Sequence, residues 1–414
     1  MKGGYNADYG DRVGGIVEIM GINGNTRKPS INLNINNMTV NGMASIPVKN
    51  RSALTFAYRH TYYNLYDADD LSVNILGKRG SKKADISVYP DYVFRDVNLK
   101  YAGSAASGDS YYMSLYEGRD QFSYAVDQDR NNTHISQFAE EKNRQMGGTL
   151  FYGKVWKNGN NSHLSLSTSS LDNDQYENQE VTRTTGSSGG TNISNQEIAY
   201  NNRIIETSLQ NKNFIAVSRR HNLVTGWKYT YNNVVFREDS SQTNITDSKS
   251  DAHRLTFFTQ DEISVASRLV ITPGIRIDVP LHLGKVYVQP RIKASVDLSD
   301  QWRINLAWGI YNQFISETSV IDDLGNYRYF WGICNNEDIP VLQARHLVGG
   351  IIFNLDGWTT GLEAFYKTTE GITRYISLRK TGPRDVYQGE AQVYGMDLLL
   401  KKYFGKHEMW ASYT

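Results

Sequence analysis

The stretch that decides the fold runs Val286-Tyr287-Val288-Gln289-Pro290-Arg291-Ile292-Lys293-Ala294-Ser295-Val296-Asp297-Leu298-Ser299-Asp300-Gln301-Trp302-Arg303-Ile304-Asn305-Leu306-Ala307-Trp308-Gly309-Ile310. Apolar and polar residues alternate through both of its halves, and in a strand successive side chains point to opposite faces. Val286, Val288, Ile292, Val296 and Leu298 then share one face, against Tyr287, Gln289, Arg291, Lys293 and Asp297. In the second half Trp302, Ile304, Leu306, Trp308 and Ile310 oppose Gln301, Arg303 and Asn305. At helical spacing either set would scatter around a cylinder, so the stretch reads as two strands reversing at Leu298-Ser299-Asp300.

The same period recurs at 269–279 (Leu269, Ile271, Ile275, Ile277, Val279) and 358–366 (Trp358, Leu362, Ala364, Tyr366). The whole composition agrees: 28 Tyr, 14 Phe, 7 Trp and 35 Gly among 414 residues favour a pleated, half-buried surface. No run approaches the roughly 18 apolar residues of a membrane helix, and mean hydropathy is negative. That excludes only a helical membrane protein, because a barrel strand alternates lipid-facing apolar with lumen-facing polar residues. A net charge of +1 supplies no field for nucleic acid, and the lone Cys334 excludes an intramolecular disulfide framework.

Alternation marks about 17 strands, near 31–40, 43–48, 52–60, 92–101, 110–119, 145–156, 162–170, 199–216, 222–231, 252–264, 269–279, 286–298, 302–312, 345–355, 358–367, 391–402 and 409–414. Their connections take turns. Short ones fall at 49–51, 102–109, 157–161, 217–221, 265–268, 299–301, 356–357 and 403–408; 61–91, 120–144, 171–198, 232–251, 313–344 and 368–390 read as long polar loops, and two members of this second set, 41–42 and 280–285, are short. One rim of turns and one of loops is the asymmetry of an up-and-down outer-membrane barrel, and sandwiches and propellers have no reason to keep it. The expected fold is therefore all-β, a transmembrane up-and-down antiparallel β-barrel facing outer-membrane lipid. An odd strand number and a last strand that stops in mid-pattern read as a barrel incomplete at its C-terminus. The opening Met1-Lys2-Gly3-Gly4 is no signal peptide, so the N-terminus also reads as cut.

Four stretches, in order, resemble the TonB-dependent outer-membrane receptors. Tyr9-Gly10-Asp11-Arg12-Val13-Gly14-Gly15-Ile16-Val17-Glu18-Ile19 is similar to the end of that family's plug domain. Phe94-Arg95-Asp96-Val97-Asn98-Leu99-Lys100-Tyr101 resembles an early barrel strand. Phe258-Thr259-Gln260-Asp261-Glu262 with Pro273-Gly274-Ile275-Arg276-Ile277-Asp278 resembles the mid-barrel hairpin. Ala391-Gln392-Val393-Tyr394-Gly395-Met396-Asp397-Leu398, with Gly405 and Ser412-Tyr413-Thr414, resembles late strands. The resemblance implies a wide barrel of about 22 strands around a plug. It also implies uptake of a scarce solute energised by the TonB complex, with a small-molecule or oligomeric ligand and, for glycans or peptides, a surface lipoprotein as partner. On this reading residues 1–22 are the remnant of the plug, ending in its last strand, and 23–414 the barrel. The TonB-binding segment would precede Met1, and about five strands would follow Thr414.

Two groups of residues carry the expected site. Tyr9, Gly10, Arg12, Gly14 and Gly15 form the plug–barrel motif, with glycines for close packing against the wall; no Gly-Lys-Ser/Thr follows that would make a phosphate loop. Tyr327, Arg328, Tyr329, Phe330 and Trp331 put rings beside a cation in a loop, as a sugar, siderophore or peptide would need, or else pack loops together or join an aromatic girdle. Tyr62, Tyr63 and Tyr66 invite the same two readings. The acidic Asp67, Asp69 and Asp70 lack the glycine and final Glu of a calcium loop and read as solvated. No two histidines stand at ligand spacing and no nucleophile–base–acid set is legible, so neither a metal, a cofactor nor an enzyme is expected. The rival readings are a passive porin-like or structural barrel, and a secreted soluble propeller, whose repeat of about 40–50 residues is absent.

Overall fold

The structure, a computed structural model, describes residues 4–49, 51–62, 71–73, 85–130, 132–185, 190–241, 243–321, 327–376 and 385–414. Its strands are β1 (Ser30–Ile35), β2 (Thr39–Lys49), β3 (Ser52–Thr61), β4 (Leu71–Val73), β5 (Asp85–Ser104), β6 (Ser110–Arg130), β7 (Thr133–Val155), β8 (Asn161–Thr185), β9 (Gly190–Ala216) and β10 (His221–Ser240). They continue as β11 (Thr243–Ala266), β12 (Leu269–Pro280), β13 (Tyr287–Asp297), β14 (Trp302–Gln313), β15 (Ile315–Ile321), β16 (Tyr327–Ile333), β17 (Leu342–Leu355), β18 (Trp358–Ile376), β19 (Asp385–Phe404) and β20 (His407–Tyr413).

Seventeen of them form one antiparallel wall in chain order, from β1 to β3, β5 to β14 and β17 to β20. These match the seventeen alternating stretches of the sequence in number and order, but the first reversal, expected at 41–42, falls at 36–38, so residues 39–42 belong to β2. The other three stand aside: β4 pairs on the end of β5, and β15 with β16 makes a separate hairpin between β14 and β17.

The wall is curved, and the N-terminal segment shows it. Lys100 on β5 donates to the Gly21 carbonyl at 2.7 Å, and Lys367 on β18 to the Gly14 carbonyl at 3.3 Å. In a flat sheet those strands would lie about 53 Å apart, eleven spacings of roughly 4.8 Å. Seven residues of chain reach at most about 25 Å, so even with both lysines extended the sheet must bend round the segment. The concave face is therefore the inside.

Alternation follows from that curvature. On β12, Thr272, Arg276 and Asp278 are buried inwards while Ile275 and Ile277 turn outwards. On β13, Gln289 and Arg291 are buried while Val288 and Ile292 are exposed. Leu306, Trp308, Leu347 and Leu362 continue the outer apolar face, with Leu306 and Leu347 each 54% exposed. Exposed apolar side chains repeated on the outer face of strand after strand make a continuous apolar belt, as a barrel in lipid would need. At one rim the strands join through tight turns, and Asp356 (φ 47°) with Gly357 (φ 78°) forms a two-residue reversal in which both residues are left-handed.

The other rim corrects the sequence reading. The segments 120–144, 171–198 and 232–251, expected as loops, are mostly strand. β7, β8 and β9 have 23, 25 and 27 residues, so β9 extends about 90 Å where a bilayer needs only about 9–11 residues. Beyond the apolar band both faces of these strands are mostly polar, so the hydrophobic alternation vanishes although the backbone ladder continues. Side-chain rungs replace it: Asn143 Nδ2 donates to Asp120 Oδ2 at 3.0 Å, and Asn173 Nδ2 to Glu141 Oε1 at 2.8 Å. Likewise 313–344 is the β15–β16 hairpin, and 368–390 extends β18 and β19 around residues outside the description. In the opposite sense, residues 9–19, expected to close a plug with a strand, have no ladder partner and carry none. Tyr63, Tyr66, Asp67, Asp69 and Asp70 lie outside the described residues.

An outward cation in the belt should be costly and an inward one cheap. Leu306→Arg should lower stability in lipid vesicles by about 2–4 kcal/mol, and Thr149→Arg, on the inner face, should leave it unchanged; urea titration of the heat-modifiable gel band measures both.

Candidate functional site

Residues 4–14 lie against the inner wall as irregular chain, and their backbone groups are taken up by wall side chains. Ala7 N–H donates to Gln260 Oε1 at 2.8 Å and Val13 N–H to Gln313 Oε1 at 3.2 Å, while Arg291 Nη1 donates to the Tyr9 carbonyl at 2.6 Å. Buried backbone without a ladder needs such partners. The Tyr5 ring lies 4.2 Å from that of Tyr311 and 5.1 Å from the Arg291 guanidinium.

The centre of this contact is Asp11, buried in the left-handed conformation (φ 65°). Arg254 Nη2 approaches its carboxylate at 2.7 Å, Arg276 Nη2 at 3.2 Å and Lys228 Nζ at 3.5 Å. Arg276 is 1% exposed and Asp278 0%. Asp278 accepts from Arg276 Nε at 2.9 Å, from Thr256 Oγ1 at 2.5 Å and from Gln289 Nε2. Lys228 also meets Glu206 at 3.4 Å, so three cations face three carboxylates. Burial alone would push the Asp11 carboxyl up, but Arg254 first, then Arg276 and Lys228, outweigh it and hold it well below the usual carboxylate range. Gly10 makes room for the knot: a Cβ there would sit 2.3 Å from Arg276 Nε.

Of the expected motif, Gly10 thus fills the close-packing role. Tyr9 donates its hydroxyl to Glu18 Oε2 at 2.6 Å, with Lys212 Nζ 5.8 Å from its ring centre. Arg12 is exposed to the lumen, with Nη1 bonded to the Asp11 carbonyl at 2.6 Å; Gly14 has open space around it, and Gly15 is exposed. Arg12 is thus exposed while its neighbour Asp11 makes the buried contact, and Arg254, Arg276, Asp278 and Glu206 were not among the expected site residues. One signal was available: Arg276 and Asp278 are opposite charges two apart, on the same face of a strand whose other face is Ile275, Ile277 and Val279.

The residues 327–331 form β16, and the hairpin crosses to the far wall. Asn202 on β9 clamps it, accepting from Trp331 N–H at 2.7 Å and donating to the Trp331 carbonyl at 3.2 Å. Phe330 stacks on Phe236 at 4.4 Å, and Ile333 joins Val234, Ala252 and Ile204 in an apolar cluster. Tyr329 is exposed, and the side chains of Tyr327 and Arg328 lie outside the description. Arg12 and Trp331, far apart in sequence, line the same cavity of about 400 Å³ together with Tyr116, Gln145, Ser169 and Glu206. A second of about 310 Å³ shares Tyr116, Gly147, Ser169 and Glu206 and continues it along the wall past Ser167 and Ser208.

Wall, belt and inward N-terminal segment together define the barrel fold of the TonB-dependent receptors. Solved structures with this fold include a variant of the ferric enterobactin receptor (PfeA) from Pseudomonas aeruginosa, with TM-score 0.56 and 15% identity over 97% of this chain and 64% of that one. The copper transporter OprC matches with TM-score 0.56 at 12% identity, over 93% of this chain and 60% of that chain. The RagAB peptide transporter matches with TM-score 0.50 at 11% identity, over 90% and 50%. The chain thus spans less than two thirds of the length of each. No protein-family model and no curated protein sequence matches it.

Removing the Asp11 charge would leave Arg254 and Arg276 buried with one carboxylate fewer. Asp11→Asn should weaken docking of residues 4–14 by about 3–5 kcal/mol, read as faster hydrogen exchange at the Ala7 amide. Since the Asp11 carboxyl is depressed in the docked chain, its contribution is complete above the free value near 3.9 and declines only as pH falls below that. Exchange at Ala7 should therefore be flat from pH 7 to 5, after correction for intrinsic rates, and rise below about 4; a rise already at pH 6 would contradict the assignment.

Proposed function

We propose that this chain is the barrel of an outer-membrane receptor that captures a scarce solute at its outer mouth. On this reading residues 1–22 are the end of a plug and 23–414 the barrel. In the complete protein, energy delivered by the TonB complex would rearrange the plug and release the solute into the periplasm. The chain's own residues would bind and orient the ligand, and no bond in it would be made or broken.

The observation that carries the reading is the knot around Asp11. A passive pore needs a water-filled lumen; here irregular chain crosses it, held by two buried arginines and a half-buried lysine and clamped beside an inward hairpin. Such contents suit a channel that is closed until something pulls. The belt of outward Leu, Ile and Trp supports an outer-membrane setting over a secreted soluble protein.

The protein from cells carrying the gene should fractionate with the outer membrane and stay in solution only with detergent. In planar bilayers it should show no steady conductance, and Asp11→Asn should produce intermittent openings. A stable ohmic pore in the wild type would instead establish a porin, and detergent-free solubility would remove the membrane reading altogether.

A further inference from the structure

The two connected cavities make one groove on the inner wall of β6 to β9, and its chemistry selects among solutes. Inward positions follow from register: Ser167 bonds Ser208 at 3.0 Å on the inside, while their neighbours Thr168 and Thr207 bond each other at 3.0 Å on the outside. With that phase, the inward side chains from 118 to 128 on β6, 135 to 147 on β7, 165 to 181 on β8 and 192 to 210 on β9 include no Lys, Arg or His. The bases of these spans, Arg119, Lys142, Arg144 and Arg203, all face outwards. Beside the apolar Phe122, Val126, Ile135, Leu171, Ile198 and Ile204, what faces in is hydroxyl, amide and carboxylate. Asn143 donates to Asp120 at 3.0 Å, Asn173 to Glu141 at 2.8 Å, and Gln175 to Asn173 at 3.0 Å.

Rings stand at the groove's upper end, Tyr116 from the wall and Trp331 from the hairpin. Its charged lining is one carboxylate, Glu206, and one guanidinium, Arg12. An anionic chelate entering there would face one guanidinium offset by one carboxylate, so little of its desolvation would be compensated. A strongly cationic solute would find one carboxylate, already met by Lys228, among serines and threonines that gain nothing from its charge. Hydroxyls and amides each donate and accept, which matches a ligand that does both at closely spaced atoms.

We propose that this groove binds a neutral saccharide, read by Ser167, Ser169, Ser208, Thr149 and Gln145 of the wall and stacked on Tyr116 and Trp331. The proposal rests on the receptor reading above and names its substrate class. Trp331 is held for the task by the two hydrogen bonds from Asn202 to its backbone, and Glu206 is oriented by Lys228 and by Asn232 Nδ2, which donates to it at 3.1 Å.

The test presents the full chain in detergent micelles to an array of neutral oligosaccharides, and separately to a ferric tris-catecholate and to trilysine. At least one array glycan should be retained, with a dissociation constant below those of the chelate and the peptide. Trp331→Ala should weaken it at least tenfold. Ser169→Lys, which brings bulk and charge into the groove, should abolish it, with heat-modifiable gel mobility reporting that each variant is folded. Folded protein that retains no array glycan, or binds the chelate or trilysine more tightly, overturns the saccharide assignment. Failure of the receptor reading looks different: protein that stays in water without detergent refutes that reading whatever it binds.

Discussion

Hydrocarbon offers no partner to a backbone amide, so a chain that crosses it as strands must pair every one of them with a neighbour. That constraint sets the architecture. Strands follow one another in chain order, because each new strand is most cheaply paired with the one just made, and the sheet curves round the segment held inside it. Curvature then divides the side chains. Those on the convex face of the apolar band are Leu, Ile, Val and Trp, as contact with lipid would demand; those on the concave face must find polar partners on one another or on whatever fills the lumen. Arg254, Arg276, Asp278 and Asp11 are the result in the middle of the wall, and the ladder of Asn and Glu on β6 to β9 is the result above it.

The same division explains what could be read from the amino-acid sequence. Where one face meets lipid, the period of two is written in hydrophobicity, so Val288 and Ile292 against Gln289 and Arg291 fix both the strand and its facing. Where both faces meet water the pattern fades. Asp120 and Gln121, or Asn173 and Asp174, look equally polar, and a continuing strand is indistinguishable from a loop. The knot was harder still. Gly10 announces a close approach, but which of Asp11 and Arg12 turns inwards depends on a left-handed backbone at Asp11 that no periodicity encodes. The hairpin carrying Trp331 was visible only as a cluster of rings; its anchor, Asn202, is 129 residues away, and one asparagine among many on β9 gives no warning.

Ion pairs rather than apolar contacts hold the N-terminal segment, and this has consequences for how it would leave. Apolar docking loosens gradually, each methyl group contributing in proportion to area. A set of desolvated charges behaves otherwise: separating one partner removes its share of the compensation from all the others at once, at about 3–5 kcal/mol for a broken buried pair. Asp11 is shared by Arg254, Arg276 and Lys228, so the contact has one vulnerable member and gives way as a unit. Arg276 and Arg254 would still have Asp278 beside them, and Lys228 would have Glu206, so the vacated wall is not left with naked charge.

The lumen is thus divided into halves of different character. Along β10 to β14 cations are concentrated and answered by Asp11, Asp278 and Glu206, and the space is occupied by residues 4–14. Along β6 to β9 the inward cations stand apart from the groove, Lys212 paired with Asp8 and Arg183 towards the far end of β8, and the space between them is open. An anion drawn towards Arg276 would have to displace Asp11, whose carboxylate is already fitted to three donors; a ligand of the open side needs to displace only water from hydroxyls and amides. Glu206 stands at the boundary, on the open groove and within reach of Lys228, whose ammonium also reaches Asp11. A ligand that engaged Glu206 would compete with Lys228 for that carboxylate and leave Lys228 to lean more fully on Asp11. Occupancy of the open half would then be felt by the segment that fills the other half through a single shared lysine.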